Sequence, residues 1–290
     1  MKAMNNDISG GLAALAFIGL AAWAEACLAF GPTGHSAVAE IAQRRLTPAA
    51  TQALAELLGP NRSLASVASW ADDARESRPE SHPWHFVNIA IGDERYDAQR
   101  HCPLKPGGGC IVAKLDRLPA ELRCSATAAE RREALLWAVH FVADVHQPLH
   151  TVADAKGGND VDVVLYVRGA TCTGNCRAAP VMTNLHAVWD SGLLDRMAWS
   201  WGALVDRVED GWLRSDEARR PGVDAGSALD WANESHAIAR RQWALTPDNK
   251  VLDERYFEQA MPVMERQLGL AGLRLARLLN DAYGSRACGR

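Results

Sequence analysis

The chain has 290 residues, 48% hydrophobic and 23% charged, which excludes a disordered or fibrous polypeptide and leaves room for a sizeable core. A net charge of −4 and a pI near 6.1 exclude a broad basic face that would hold duplex nucleic acid by counterion release. Whole-chain charge says nothing against a polyanionic substrate held through bound cations, which change the local sign.

Residues 11–29 read as the apolar segment and cleavage site of a signal peptide, with Cys27 and Ala29 as the small residues at −3 and −1. Glu25 interrupts the run, leaving it short for a membrane span; an N-terminal anchor is the competing reading. No other stretch could span a bilayer. Cleavage after Ala29 would expose Phe30 and leave residues 30–290 as one domain, secreted or periplasmic. It would also remove Cys27 and leave six cysteines, an even number that suits an oxidising compartment. Cys102/Cys110 and Cys172/Cys176 are close enough to close small loops, with Cys124 and Cys288 left as a long-range pair. Six cysteines allow fifteen connectivities, so these pairings are expectations only.

Apolar residues at three- and four-residue spacing predict helices over 36–46, 48–58 and 64–75. Thr47-Pro48 supplies an N-cap and a first-turn proline for the second. A long helix follows over 128–146, with Leu135, Leu136, Val139 and Val142 on its core side. Residues 161–167, between Gly157-Gly158 and Gly169, read as a strand or hairpin arm. Further helices are predicted over 186–199, 229–243 and 254–280, and the loops at 103–109 and 221–226 are not domain linkers. The fold class is mainly all-α, a compact multi-helix domain with a minor β-hairpin. Most of the ten tryptophans are expected in the core, with a base-stacking surface as the alternative use.

His140 and Asp144 fall one turn apart on one helix face, and His186 and Asp190 repeat the spacing. An imidazole nitrogen and a carboxylate oxygen so placed can grip one divalent cation. His150 follows the first pair across Pro148. The absence of Cys-x-x-Cys argues against a thiolate zinc site, and N and O donors suit zinc, manganese or iron alike.

Three more segments complete a pattern: Phe30-Gly-Pro-Thr-Gly-His35, Trp70-Ala-Asp72-Asp-Ala-Arg75 and Trp84-His85-Phe86-Val-Asn88. With His140-x3-Asp144-x5-His150, Gly157-Gly158-Asn159 and His186-x3-Asp190, the mature chain resembles the S1/P1 nuclease family of trinuclear zinc enzymes. Zinc-dependent phospholipase C is a more distant relative with the same helical fold. The resemblance implies three Zn2+ per chain. Asp72, His85, His140 and Asp144 would hold the first, and His150, His186 and Asp190 the second. The third would take the free α-amine and carbonyl oxygen of Phe30, with His35 and the other oxygen of Asp144. Asp72 would orient the attacking water and Arg75 would neutralise charge on the phosphoryl group.

The implied activity is a zinc-dependent endonuclease and 3′-nucleotidase. It would act on single-stranded DNA and RNA and on 3′-nucleotides and leave 5′-phosphate products. The expected chain is a monomer without a stable protein partner or a membrane span after processing. Phe86, Asn88, Lys156 and Asn159 would contact substrate. The chain departs from the family pattern at Phe30, usually Trp, at Asn88, where the fungal enzymes carry Asp, and at Lys156, where the family has a small apolar residue. These departures bear on processing and base preference rather than on the chemistry. The alternatives are a phospholipase C-like phosphodiesterase and a zinc-stabilised binding protein without turnover. His82 and His146 flank the ligands without matching them, and His236 reads as a helix-face residue.

Overall fold

The computed structural model describes residues 30–103 and 109–284. The expected signal peptide and Cys288 lie outside these residues. Two of the expected disulfides, Cys102–Cys110 and Cys172–Cys176, are formed, and Cys124 is also disulfide-bonded.

The centre of the fold is the helix Ala128–His146, started by a capping box between Thr127 and Glu130. From Ala134 to His146 every residue is buried. Neighbouring elements therefore cover it on all sides, and no single apolar stripe describes it. Against it pack the helices Ile111–Cys124, Ala228–Ala244 and Glu254–Gly284, the last also covering the first helix, Gly31–Gln43. Trp84, Trp137, Trp189 and Trp231 are buried, whereas Trp199 and Trp201 face solvent.

Beta structure among the described residues is one small sheet, in the order β2-β1-β3, and an isolated parallel bridge between Ile89 and Val152. β1 (Asp162–Leu165) pairs antiparallel with β2 (Val181–Asn184), with Asp162 opposite Asn184, and parallel with β3 (Val251–Leu252). The expected hairpin thus gains a third strand too short for a sequence pattern to reveal.

The helices over 48–58 and 128–146 end where the spacing predicts, and Thr47 Oγ1 accepts from Ala50 N as the cap. Other segments differ from expectation. The first helix begins at Gly31, because Gly31 and Pro32 open it despite lacking apolar periodicity. The stretch 64–75 breaks into a short 3-10 turn, Ala65–Val67, and a separate helix, Trp70–Ala74. Two of the longer helices carried no expectation, Ile111–Cys124, which contains Pro119, and Trp201–Asp210. No helix among the described residues is long and apolar enough to cross a membrane.

Gly272 lets the C-terminal helix approach the first one. A Cβ there would lie 2.3 Å from Ile41 Cγ2 and 2.7 Å from Ile41 Cβ, atoms fixed close to a backbone. Gly272→Ala is expected to destabilise by about 1–3 kcal/mol, although alanine is the better helix former. Urea unfolding measures this, and an unchanged or raised midpoint would show that the contact relaxes.

Candidate metal centre

Four elements deliver the first set of donors to one place. His140 and Asp144 come from the central helix, Asp72 from the short helix Trp70–Ala74, His85 from the 3-10 segment Pro79–His85, and His35 from the first helix. Asp144 Oδ2 lies 3.0 Å from His85 Nδ1 and 3.3 Å from His140 Nε2, while its Oδ1 lies 3.2 Å from His35 Nε2. Asp72 Oδ1 is 3.5 Å from His140 Nε2 and 3.8 Å from His85 Nδ1. His35 stacks on His140 with centroids 3.9 Å apart and planes 7° from parallel. His35 Nε2 and Asp144 Oδ1 are buried and close, yet neither makes a hydrogen bond. Lone pairs aimed at a common point, and not at each other, are what a cation site presents.

A second set lies alongside. His150 Nε2 is 3.2 Å from His186 Nε2, which is 3.3 Å from Asp190 Oδ2. A π-helical turn, Val188–Gly192, replaces the continuous helix expected over 186–199 and brings Asp190 beneath His186. Three groups could therefore hold a metal ion: His35/His140/Asp144, Asp72/His85/His140 and His150/His186/Asp190.

The imidazoles are oriented by backbone carbonyls. His140 Nδ1 donates to Ala68 O at 2.8 Å, His150 Nδ1 to His85 O at 2.7 Å and His186 Nδ1 to Gly157 O at 2.7 Å. Such bonds fix the tautomer that leaves Nε2 free to ligate. Gln147, buried next to the central helix, donates to Asp190 Oδ1 at 2.6 Å. Sequence reasoning missed Gln147; its position between His146 and Pro148 was the only signal.

Gly157 sits in a run of positive φ values, 44° at Ala155, 52° at Lys156, 67° at Gly157 and 89° at Gly158. Left-handed conformations at Ala155 and Lys156 cost about 1–3 kcal/mol each, offset by the surrounding fold. A Cβ on Gly157 would lie 2.7 Å from Leu149 O and 3.1 Å from His186 Nδ1. Gly157→Ala is expected to weaken metal binding about 10–100-fold, as loss of an orienting partner does. Titration with a competing chelator reads it, and unchanged affinity would separate the carbonyl from the site.

Burial and charge divide the ionisable groups. Burial pulls His85 down to about 4 and His150 to about 3, so both are neutral imidazoles. Burial alone would lower His140 too, but Asp144 and Asp72 outweigh it and push it up to about 10. Ligation needs the neutral ring, so a metal must displace that proton. Burial opposes ionisation of Asp144, yet the imidazoles of His140, His35 and His85 hold it well below the carboxylate range. Asp190 goes the other way: burial pushes it well above, against the Gln147 hydrogen bond. A cation would restore its carboxylate.

The remaining expected residues surround these groups. Phe30 is fully buried and its carbonyl accepts from Gly34 N at 2.9 Å. Gly31 lies against Ser191 and Asp190, where a Cβ would meet Ser191 Oγ at 2.5 Å. Gly31, next to Phe30, thus lies against the turn that carries Asp190. Arg75 Nη2 is 2.9 Å from Asp72 Oδ1. Phe86 is half-buried, edge-on to exposed His82 at 5.7 Å, and Asn88 is exposed. Lys156 is exposed and paired with Asp160, while Asn159 Nδ2 donates to Lys156 O. His146 and His236 are interior residues. His146 bonds Val142 O and Arg274, and His236 bonds Thr151 O and Asp93 O.

The family model of the S1/P1 nucleases matches residues 30–284. The chain belongs to the S1/P1 nuclease family. It is a hydrolase of phosphodiester bonds, as its family is. Among its relatives is Endonuclease 2 of Arabidopsis thaliana, 28% identical over 88% of this chain and 91% of the relative. Nuclease P1 of Penicillium citrinum is 28% identical over 88% of this chain and 98% of its own. Nuclease S1 of Aspergillus oryzae is 26% identical over 89% and 93%. Membership of the S1/P1 family accounts for a mainly helical chain that gathers its first set of donors from four helical elements and its second from three more.

Proposed function

We propose that the chain, cut after Ala29, is a secreted or periplasmic zinc-dependent endonuclease. It hydrolyses single-stranded DNA and RNA to 5′-phosphate products and also acts on 3′-nucleotides. It works as a monomer. The observation that carries this reading is the position of Asp144. One of its carboxylate oxygens faces His35 and the other faces His85 and His140.

The donor set fits zinc: imidazole nitrogens and carboxylate oxygens, buried, with unbonded donor atoms on His35 and Asp144. Asp72, His85, His140 and Asp144 would hold one ion and His150, His186 and Asp190 a second. His35, Asp144 and the amine and carbonyl of Phe30 would hold the third. When bound, such ions supply a nucleophile from water near neutral pH and neutralise charge on the phosphoryl oxygens.

The chain's own groups do the rest. Asp72, held by Arg75, orients the water for in-line attack. Arg75 faces the phosphoryl oxygens, where its charge counts most as negative charge develops. Phe86 stacks a base, and Asn88, Lys156 and Asn159 contact its edge or the adjoining phosphate. A single strand presents an unstacked base without the few kcal/mol that a duplex requires.

The test is a zymogram of the processed protein on single-stranded DNA, RNA and phosphatidylcholine, with and without chelator. Chelator-sensitive nucleolysis is expected. Nucleolysis that survives chelation, or cleavage confined to lipid, would overturn the reading.

A further inference from the structure

Gln147 is bonded to three residues of the donor sets at once. Its backbone N–H donates to Asp144 O at 3.0 Å, and its carbonyl accepts from His150 N at 3.0 Å. Its side chain donates from Nε2 to Asp190 Oδ1 at 2.6 Å and accepts at Oε1 from Leu149 N at 2.6 Å. We propose that Gln147 is a positioning residue of the metal centre. Its amide keeps Asp190 turned so that Oδ2 stands with the imidazoles of His150 and His186 as one metal-binding group. This rests on the metal-dependent reading of the donors and adds to it a residue that is not itself a donor.

The chain settles which way the amide faces. Leu149 N can only donate, so the atom opposite it is the amide oxygen, and the nitrogen is left for Asp190. An N–H aimed at a carboxylate is a charge-assisted bond, stronger than a neutral one. Gln147 is fully buried, so neither bond competes with bulk water. A glutamate at 147 would set oxygen against oxygen at Asp190. An asparagine would be one methylene too short to make both bonds.

Asp190 depends on this partner because of where it sits. It lies in the π-helical turn Val188–Gly192, with Oδ2 3.3 Å from His186 Nε2 and Oδ1 3.9 Å from His150 Nε2. Rotation about its Cβ–Cγ bond would exchange the oxygen presented to the imidazoles. His140, His150 and His186 are oriented by backbone carbonyls, which no substitution removes. The partner of Asp190 is a side chain, and so its role can be tested.

The same residue relates the second set to the first. The helix that carries Asp144 ends at Gln147, and the 3-10 turn Pro148–Thr151, which carries His150, starts from it. A shift at Gln147 therefore moves His150 and Asp190 together relative to Asp144.

The experiment titrates the processed protein with zinc against a competing chelator, for the parent, Gln147→Met and Gln147→Glu. Gln147→Met keeps the volume and removes both side-chain bonds. Gln147→Glu keeps the acceptor for Leu149 N and removes only the donor to Asp190. The melting temperature without zinc reports folding. One zinc per chain is expected to bind about 10–100-fold more weakly in both variants, with the other affinities unchanged. Adding Gln147→Met to Asp190→Ala should cause no further loss, because Gln147 acts through Asp190. Parental affinity in both variants, or equal weakening of every ion, overturns the proposal. Weakening in Gln147→Met alone assigns the residue to the 148–151 turn and overturns it too, as does a full additional loss in the double variant. A parent that binds zinc but cuts no nucleic acid overturns the nuclease reading and leaves this inference standing. A parent that binds no zinc overturns both.

Discussion

Asp144→Asn is expected to abolish nucleolysis and to lower bound zinc below three ions per chain. Both carboxylate oxygens of Asp144 are committed, Oδ1 toward His35 and Oδ2 toward His85 and His140. An amide keeps the shape but offers one oxygen, and its nitrogen cannot ligate. The variant also removes one of the two carboxylates, with Asp72, that favour protonated His140 in the metal-free protein. The loss should exceed the 10–100-fold typical of an orienting partner, because a donor itself is removed. Metal analysis on folded protein, checked by circular dichroism, reads the outcome. Full zinc content together with full activity would contradict the shared role of Asp144.

A chain that keeps any residue in front of Phe30 is expected to bind one ion fewer and to lose most of its activity. An α-amine has a lone pair to donate, whereas the nitrogen of a peptide bond has it delocalised into the carbonyl. Phe30 is fully buried, and Gly31 lies against Ser191 beside Asp190. Two forms prepared with defined N-termini, one starting at Phe30 and one carrying an extra alanine, allow the comparison. Metal content read alongside activity separates a lost ion from a blocked cleft. Equal zinc content in the two forms would remove residue 30 from the metal centre and processing from the activation of the protein.

The sequence made some features legible and hid others for identifiable reasons. The helix over 128–146 could be bounded because Thr127 and Glu130 form a capping box and the run lacks breakers. Its role at the centre could not, because amphipathic spacing suggests one buried face and here all faces are buried. The first helix starts before its apolar period does, since Gly31, Pro32 and Gly34 carry none. Gly31 and Gly34 have no side chain because that end packs against Ser191 and Leu194. The donors were readable because i, i+4 spacing survives translation into structure. The residues that aim them were not, because Ala68, His85 and Gly157 act through carbonyls that any residue carries.

His146 shows where a local motif misleads. It lies two residues from Asp144 and looks like part of the centre. On a helix that spacing turns it to another face, where burial and the Arg274 guanidinium hold its pKa well below the ordinary value. Neutral His146 accepts from Arg274, and Gln267 donates to its carbonyl, tying the central helix to the C-terminal one. Its role is structural, although its sequence neighbourhood is that of the donors.

The central claim is that this family member cuts single strands internally through metals held by these donors. Circular single-stranded DNA tests it most directly, because only an endonuclease can open it. Protein starting at Phe30 should convert the circle to fragments ending in 5′-phosphate, stop when chelator is added, and resume when zinc is restored. Cleavage that persists in chelator, or an intact circle with zinc-loaded protein, would contradict it.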